Sequence, residues 1–251
     1  MNNKGKHQEY IVDEGVRINK FLSEAGVCSR RAADRYIIEN KVIINGKPAV
    51  IGSKVKPGDK VTFCGKPVET TTKRVLIALN KPAGIVCTTD PREPDNIVDF
   101  VKYPTRIFPI GRLDKESEGL ILLTNDGDIV NSILRERYGH EKEYIVTVNK
   151  EITKDFIKVM SEGVPILDTV TNPCDLNVID KNTFRIILTQ GLNRQIRRMC
   201  EHLGYKVTRL VRIRVMNINL GRLKTGIWRN VTNREIEELN RLLDKNEERE
   251  F

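Results

Sequence analysis

The stretch Lys66 to Lys73, KPVETTTK, most constrains what this chain can fold into. It carries a proline and three consecutive threonines and has no apolar face for a helix or a strand to bury. A polar tract placed there divides the 251 residues into a small first part and a larger second part, each of which must bury its own core. Residues 67–73 are therefore read as a linker between a module at 15–66 and a larger domain at 74–232. Residues 1–14 are read as a flexible lead-in, and 233–251 as a terminal helix with a charged tail.

The small module reads as two helices followed by short strands. Ile18, Phe21, Leu22 and Ala25 recur at helical spacing over Arg17 to Ala25, and Gly26 suits the residue after a helix end. Ser29 is a good N-cap for a second helix, Arg30 to Glu39, with Ala33, Tyr36 and Ile37 as its apolar stripe. Asn45-Gly46 between Val42–Ile44 and Lys47–Val50 predicts a hairpin. In the larger part, strands are expected over Arg74–Leu79, Leu120–Leu123, Glu143–Val148 and Thr183–Leu188, and helices over Asp128–Arg135, Thr153–Glu162 and Asn193–Leu203. Strands and helices mix without regular βαβ repeats, so the fold class is α+β. Thr232 and Glu235 stand in capping-box spacing ahead of Ile236, Leu239, Leu242 and Leu243.

Charge narrows the partner. The chain has 43 Lys and Arg against 34 Asp and Glu, a net +9 that favours a polyanion through counterion release. No apolar run approaches the ~20 residues that span a bilayer, and the start has no signal-peptide core, so a soluble cytoplasmic protein without a membrane partner is expected. The five cysteines are scattered and the three histidines lack ligand spacing, so reduced thiols and no metal are expected. A monomer is the default, because the apolar stripes are all needed by the core. Arg17 and Lys20 lie on the polar side of the first helix, and Arg30, Arg31 and Arg35 lie opposite the apolar stripe of the second. With Ser29 at the helix start they suit phosphate oxygens, although a merely solvated charged face fits the same pattern.

The most informative segment is FPIGRLDKESEGLILLTNDGD, Phe108 to Asp128. Asp114 falls in a loop ahead of a core strand, between Arg112 and Lys115, cations that favour its ionised form. An ionised carboxylate there could be a nucleophile or half of a structural ion pair. Asn125-Asp126-Gly127 turns into a helix expected to be capped by Asp128. Tyr144 shares a strand face with Val146 and Val148, as a core aromatic or a stacking surface would. Arg194, Arg197 and Arg198 crowd one helix face at i, i+3 and i+4, which calls for anions to balance them: Asp114 for Arg197, phosphates for the rest.

Two resemblances resolve these alternatives. The run RINKFLSEAGVCSRRAADRYII, with VIINGK and KVKPGDKV after it, resembles the α-L RNA-binding motif, which implies a module that grips structured RNA by shape. GRLD followed by GLILLTNDGD, then KEYIVTV and QGLNRQIRRM, resembles the RsuA/RluB/RluE/RluF family of ribosomal pseudouridine synthases. HEKEYIVTV, SEGVPILDTVT and GLNRQIRRMCEHLGY are most similar to its RluF branch. The resemblance implies a catalytic domain built on a mixed, largely antiparallel β-sheet with flanking helices. It implies Asp114 as the catalytic carboxylate, Tyr144 as the active-site tyrosine and Arg197 as the conserved arginine, with RNA contacts from Arg112, Leu113, Lys115, Arg194, Gln195, Ile196 and Arg198. It also implies isomerisation of a uridine in 23S ribosomal RNA near the peptidyl-transferase centre, without a cofactor, with small-subunit RNA or a tRNA as alternative substrates. Asp114 would either attack the anomeric carbon or take a ribose proton to give a glycal, two routes that the sequence leaves open. A non-catalytic assembly factor would share the basic charge and the small module, but it has no need of a carboxylate in a basic cleft.

Overall fold

A computed structural model describes residues 15–69, 73–135 and 138–247. The expected lead-in over 1–14 and the end of the charged tail lie outside the described residues. The chain divides into two compact units, Met1–Lys73 and Arg74–Phe251.

In the first unit, β1 (Val16–Arg17) leads into α1 (Ile18–Glu24), and α2 (Arg30–Ile38) follows. Arg17 is the residue that precedes α1 rather than its first turn. The Ser29 hydroxyl accepts from the Ala32 amide at 3.2 Å, which satisfies one orphan donor of α2. Strands β2 (Val42–Ile44), β3 (Lys47–Pro48), β4 (Lys54–Val55), β5 (Val61–Phe63) and β6 (Lys66–Pro67) complete the unit. β4 pairs with β1, and the others form a four-stranded sheet in the order β3-β2-β5-β6. Asn45 and Gly46 both have positive φ, as the hairpin turn requires. Cys64 (φ 48°) and Gly65 (φ 77°) make a second turn of the same kind. That turn is why Lys66 and Pro67, which straddle the boundary read between module and linker, return together as β6 on β5. Ile18, Leu22, Ala33, Ile37, Val42, Ala49, Val55 and Val61 form the buried core.

The second unit is built on β7 (Leu76–Lys81), β8 (Phe108–Ile110), β9 (Glu118–Thr124), β10 (Lys142–Val148), β13 (Asp175–Asp180), β14 (Thr183–Leu188), β15 (Val207–Val215), β16 (Ile218–Asn219) and β17 (Trp228–Asn230). A small hairpin of β11 (Pro165–Ile166) and β12 (Thr169–Val170) stands apart from this sheet. The nine-stranded sheet runs β13-β14-β10-β15-β9-β7-β17, with β8 also on β9 and β16 also on β15. All its pairs are antiparallel except β9 with β15, which meet over Glu118–Val211 and Gly119–Arg212 alone. The sheet is therefore two halves held by a two-residue parallel seam.

Helices α3 (Ile97–Val101), α4 (Gly127–Leu134), α5 (Lys154–Glu162), α6 (Gln195–His202) and α7 (Asn233–Glu247) flank it. On β7 and β9, alternating residues face opposite sides. Ile77, Leu79, Ile121 and Leu123 pack with Ile97 and Val101 of α3, while Ala78, Leu120 and Leu122 pack with Ile133 of α4 and Leu239 of α7. In the other half, Val146, Phe184, Ile186 and Leu210 pack against Phe156 and Met160 of α5 and Ile196, Met199 and Cys200 of α6.

The caps correct one expectation. Asp126, not Asp128, caps α4, its carboxylate accepting from the Asp128 amide at 2.9 Å. At α7 the Thr232–Glu235 box forms in both directions, and Arg229 adds two bonds to the Glu235 carboxylate at 2.7 and 2.8 Å.

Two outcomes follow from this packing. Gly119 holds φ +101°, and a Cβ there would sit 2.2 Å from the Arg212 carbonyl oxygen. Gly119→Ala is expected to lose about 3 kcal/mol or more of stability in urea unfolding. The Arg229 guanidinium pulls the Glu235 carboxyl down to about 2. A depressed carboxyl stabilises the fold above its ordinary titration range and loses that contribution as pH falls toward its folded value. Thermal melts should therefore show wild type losing stability between about pH 5 and 2, and Arg229→Met losing visibly less over the same window.

Candidate active site

The seam creates a cleft. Where β9 leaves β15 and continues beside β8, the loop Gly111–Ser117 crosses the gap between the sheet halves. A cleft of about 990 Å³ opens there, lined by residues from all three buried clusters of the unit: Cys87 and Leu113, Ile110 and Val215, and Leu188, Ile196 and Leu210. That volume lies near the upper end for ligand clefts. Asp114, Tyr144, Arg194, Arg112, Lys142 and His140 also line it.

Asp114 is half-buried on the crossing loop. Its nearest cations are Arg197, with Nε 3.7 Å from Oδ2, and Arg194, with a terminal nitrogen 3.9 Å away. The sequence neighbours expected to hold it do otherwise. Lys115 bonds Asp95 at 3.0 Å, and Arg112 is exposed with no ion pair among the described residues. Arg197 is 9% exposed, at the core side of α6. Its NH2 donates to Ser117 Oγ at 3.2 Å and its NH1 to the Val207 carbonyl at 3.5 Å, while its Nε has no hydrogen-bond partner. Ser117, fully buried, also donates its amide to the Asp114 carbonyl at 3.0 Å. One serine thus fixes both the loop that carries the carboxylate and the guanidinium that faces it.

Tyr144 packs against two clusters, one on each side of the seam, and stands across from Arg212 on β15. A bulge between Glu143 and Tyr144 separates the two faces of β10. Glu143 is held between Arg185 and Arg214, which keep its carboxyl below the usual range. Arg212, 4% exposed, spans the seam by donating Nε to the Leu120 carbonyl at 2.7 Å. The cluster expected on α6 is broken up. Arg194 is the left-handed residue before the helix and bonds Glu116 at 3.2 Å, Arg197 is buried, and Arg198 folds onto Asn193. The balancing anions at hand are thus protein carboxylates. Three expected RNA contacts are internal: Leu113 and Ile196 are core residues, and Gln195 spends its carbonyl on the Leu192 amide. They shape the cleft wall.

The sequence reading missed Lys81. It is fully buried at the end of β7, and Nζ donates to the carbonyls of Pro82, Ile85 and Lys115 at 2.9, 2.8 and 3.3 Å. Those bonds use all three donors of an ammonium and tie the β7 turn to the residue after Asp114. Burial pushes its amine below the ordinary range, opposed by nearby Cys87 and Asp114. A lysine closing a strand that opens with four apolar residues was the available signal. Burial also pushes the Cys87 thiol up. Among the described residues no group of histidine, cysteine and acidic side chains is placed to hold a metal, and no helix is long and apolar enough to cross a membrane.

Lys81→Met would leave three inward carbonyls without their donor. A loss of about 3 kcal/mol in unfolding together with a fall in turnover is expected; a variant as stable and active as wild type would deny Lys81 this role.

The chain was compared with known proteins. Residues 75–202 match the RNA pseudouridylate synthase family, and residues 16–61 match the S4 domain. The chain is 56% identical over 236 residues to the dual-specificity RNA pseudouridine synthase RluF of Escherichia coli K12, covering 93% of this chain and 81% of that one. It is 36% identical to the ribosomal large subunit pseudouridine synthase B of Bacillus subtilis, covering 91% and 97%. A crystal structure of a pseudouridylate synthase, 30% identical, superposes with a TM-score of 0.66 over 89% of this chain and 99% of that one. With an S4 domain followed by a mixed-sheet catalytic domain, the chain belongs to the RNA pseudouridylate synthase family in its RsuA-type form, and it is an RNA pseudouridine synthase.

Proposed function

We propose that the chain isomerises a uridine of 23S ribosomal RNA, with Asp114 as the group that acts on the ribose. The observation that carries this reading is a half-buried carboxylate in a cleft of nucleotide size, faced by two arginines and by Tyr144. A uridine in structured RNA must leave its stack, at a cost of about a few kcal/mol. The Tyr144 ring, held by core packing on both sides of the seam, offers a surface that offsets part of that cost. Asp114 then acts at the anomeric carbon or at the neighbouring ribose proton, and the bond from N1 to that carbon breaks. The uracil turns and rejoins through C5, the proton on C5 leaves and N1 gains one, so nothing is consumed and no cofactor is called for. Arg197 fixes the carboxylate from behind, and Arg194 at the cleft mouth suits a phosphate oxygen. In the small unit, the exposed Arg30, Arg31 and Arg35, with Arg17 and Lys20 nearby in sequence, are the RNA-gripping set. The reading places the enzyme with ribosomes in the cytoplasm.

A second RNA substrate is favoured by one observation: the relative with 56% identity is described as having dual specificity. A stem-loop of large-subunit RNA and a tRNA anticodon arm are the substrates to compare.

Asp114→Asn should abolish turnover while RNA affinity persists. Arg197→Lys should lower kcat about 100-fold despite its equal charge, because the guanidinium geometry is lost. Reverse-transcription mapping of pseudouridine in ribosomal and transfer RNA, from cells with wild type or Asp114→Asn, tests both the reaction and the target. A site still modified by the Asn form would overturn the role of Asp114.

A further inference from the structure

The last strand of the large sheet carries a surface that the reaction does not use. β17 pairs with β7 along one edge. Trp228, the single tryptophan of the chain, is 36% exposed there, beside Ile227 at 52% and with Phe100 of α3 at 37%. The Trp228 ring meets Tyr103 edge-on, with centroids 5.3 Å apart. Large apolar side chains gathered at a surface mark a contact site. The flanking turns are basic. Lys102 precedes Tyr103, and Arg222 and Lys224 lie on the turn into Ile227; all three are exposed and make no ion pair among the described residues. A fourth cation, Arg229, is committed to Glu235. The nearby carboxylate of Asp99 accepts from the Asn96 side chain at 2.6 Å.

This surface is joined to the catalytic loop. The Gly226 amide donates to the Asn80 carbonyl at 2.8 Å, and the Asn80 amide donates to Ile227 at 3.1 Å. The next residue, Lys81, reaches the carbonyl of Lys115, one position after Asp114. Tyr103 packs in the same cluster as Leu113 and Tyr144.

We infer that the Trp228–Tyr103 pair, with Lys102, Arg222 and Lys224, is a docking surface for single-stranded RNA that flanks the target uridine. The inference deepens the proposed function and rests on it. Protein-docking surfaces are depleted of charge at their centre. Here exposed cations flank an aromatic pair, the combination by which single strands are held: backbone phosphates on the cations, bases on the rings. A strand whose uridine enters the cleft has neighbours that must unstack too, and this platform receives them.

The single tryptophan makes the test direct. Decauridylate, an unstructured probe, is titrated into the full-length protein while Trp228 fluorescence and the anisotropy of labelled oligomer are followed together. Saturable quenching that weakens with salt is expected. Lys102→Glu, Arg222→Glu and Lys224→Glu combined should lower affinity about tenfold. Trp228→Leu should lower it about fivefold or more; should that variant not fold, the surface charge reversals still decide. Binding by anisotropy with no change in fluorescence overturns the inference, because the RNA then lies elsewhere. No binding at all, or reversals that leave affinity within about twofold, also overturn it. Pseudouridine mapping is read separately. Asp114-dependent modification without quenching overturns this surface alone, whereas absent modification overturns the catalytic reading.

Discussion

The site depends on a parallel contact only two residues long. Glu118 and Gly119 of β9 meet Val211 and Arg212 of β15, and among the described residues no other strand pairing joins the two halves of the sheet. So short a ladder is weak by itself. It is reinforced by the Arg212 side chain, which bonds Leu120 across the seam, and it requires a glycine at 119 because the Arg212 backbone fills the space of a Cβ. The seam parts immediately beyond this point, and the loop bearing Asp114 occupies the opening. A carboxylate carried by one half thereby faces Arg197, carried by the other. Had the halves been joined along a full strand, there would be no cleft for a nucleotide to enter.

The charge excess divides into two populations. Arg185, Arg197, Arg212, Arg214 and Arg229 are tied to carboxylates or carbonyls and hold the sheet and α7 together. Such pairs are costly to desolvate and specify geometry more than they stabilise. Arg30, Arg31, Arg35, Arg112, Lys102, Arg222 and Lys224 are exposed and available to a polyanion. Net charge alone announced a nucleic-acid partner, but it could not say which cations were free, because that depends on which carboxylates the fold brings near. Lys115 was read as a neighbour of Asp114 and is claimed instead by Asp95, 20 positions earlier.

Local chemistry was therefore legible and long-range chemistry was not. The Ser29 cap, the Asn45-Gly46 turn and the Thr232–Glu235 box each need only a few adjacent residues, and each formed where the sequence placed it. The Cys64-Gly65 turn escaped because cysteine is uncommon at positive φ, and so β6 was divided between module and linker. Motif resemblance drew attention to Asp114 and Tyr144, which line one cleft, and to Arg197, which faces Asp114 from beneath its wall. It did not separate exposed residues from packed ones, and Leu113, Gln195 and Ile196 are buried side chains that form part of the cleft wall. The roles of Lys81 and Ser117 were not legible for the converse reason. What each ties together is distant in sequence: Lys81 reaches the Lys115 carbonyl, 34 positions on, and Ser117 the Arg197 side chain, 80 positions on.

The spacing between Asp114 and Arg197 bears on the proposed chemistry. At 3.7 Å the guanidinium faces the carboxylate at ion-pair range but is too far to make a good hydrogen bond to it. Arg197 is instead held by Ser117 and Val207, which leaves its Nε without a partner. A tightly clamped carboxylate would have its lone pairs engaged and would be a poor nucleophile. A carboxylate with no cation beside it would have nothing to fix its orientation in the cleft. An arginine anchored by neutral oxygens at a fixed distance avoids both outcomes, and it leaves a buried donor, Nε, directed at the carboxylate side of the site without a bond of its own. The serine three residues after the aspartate bonds both partners, so the spacing between carboxylate and guanidinium rests on a fully buried side chain.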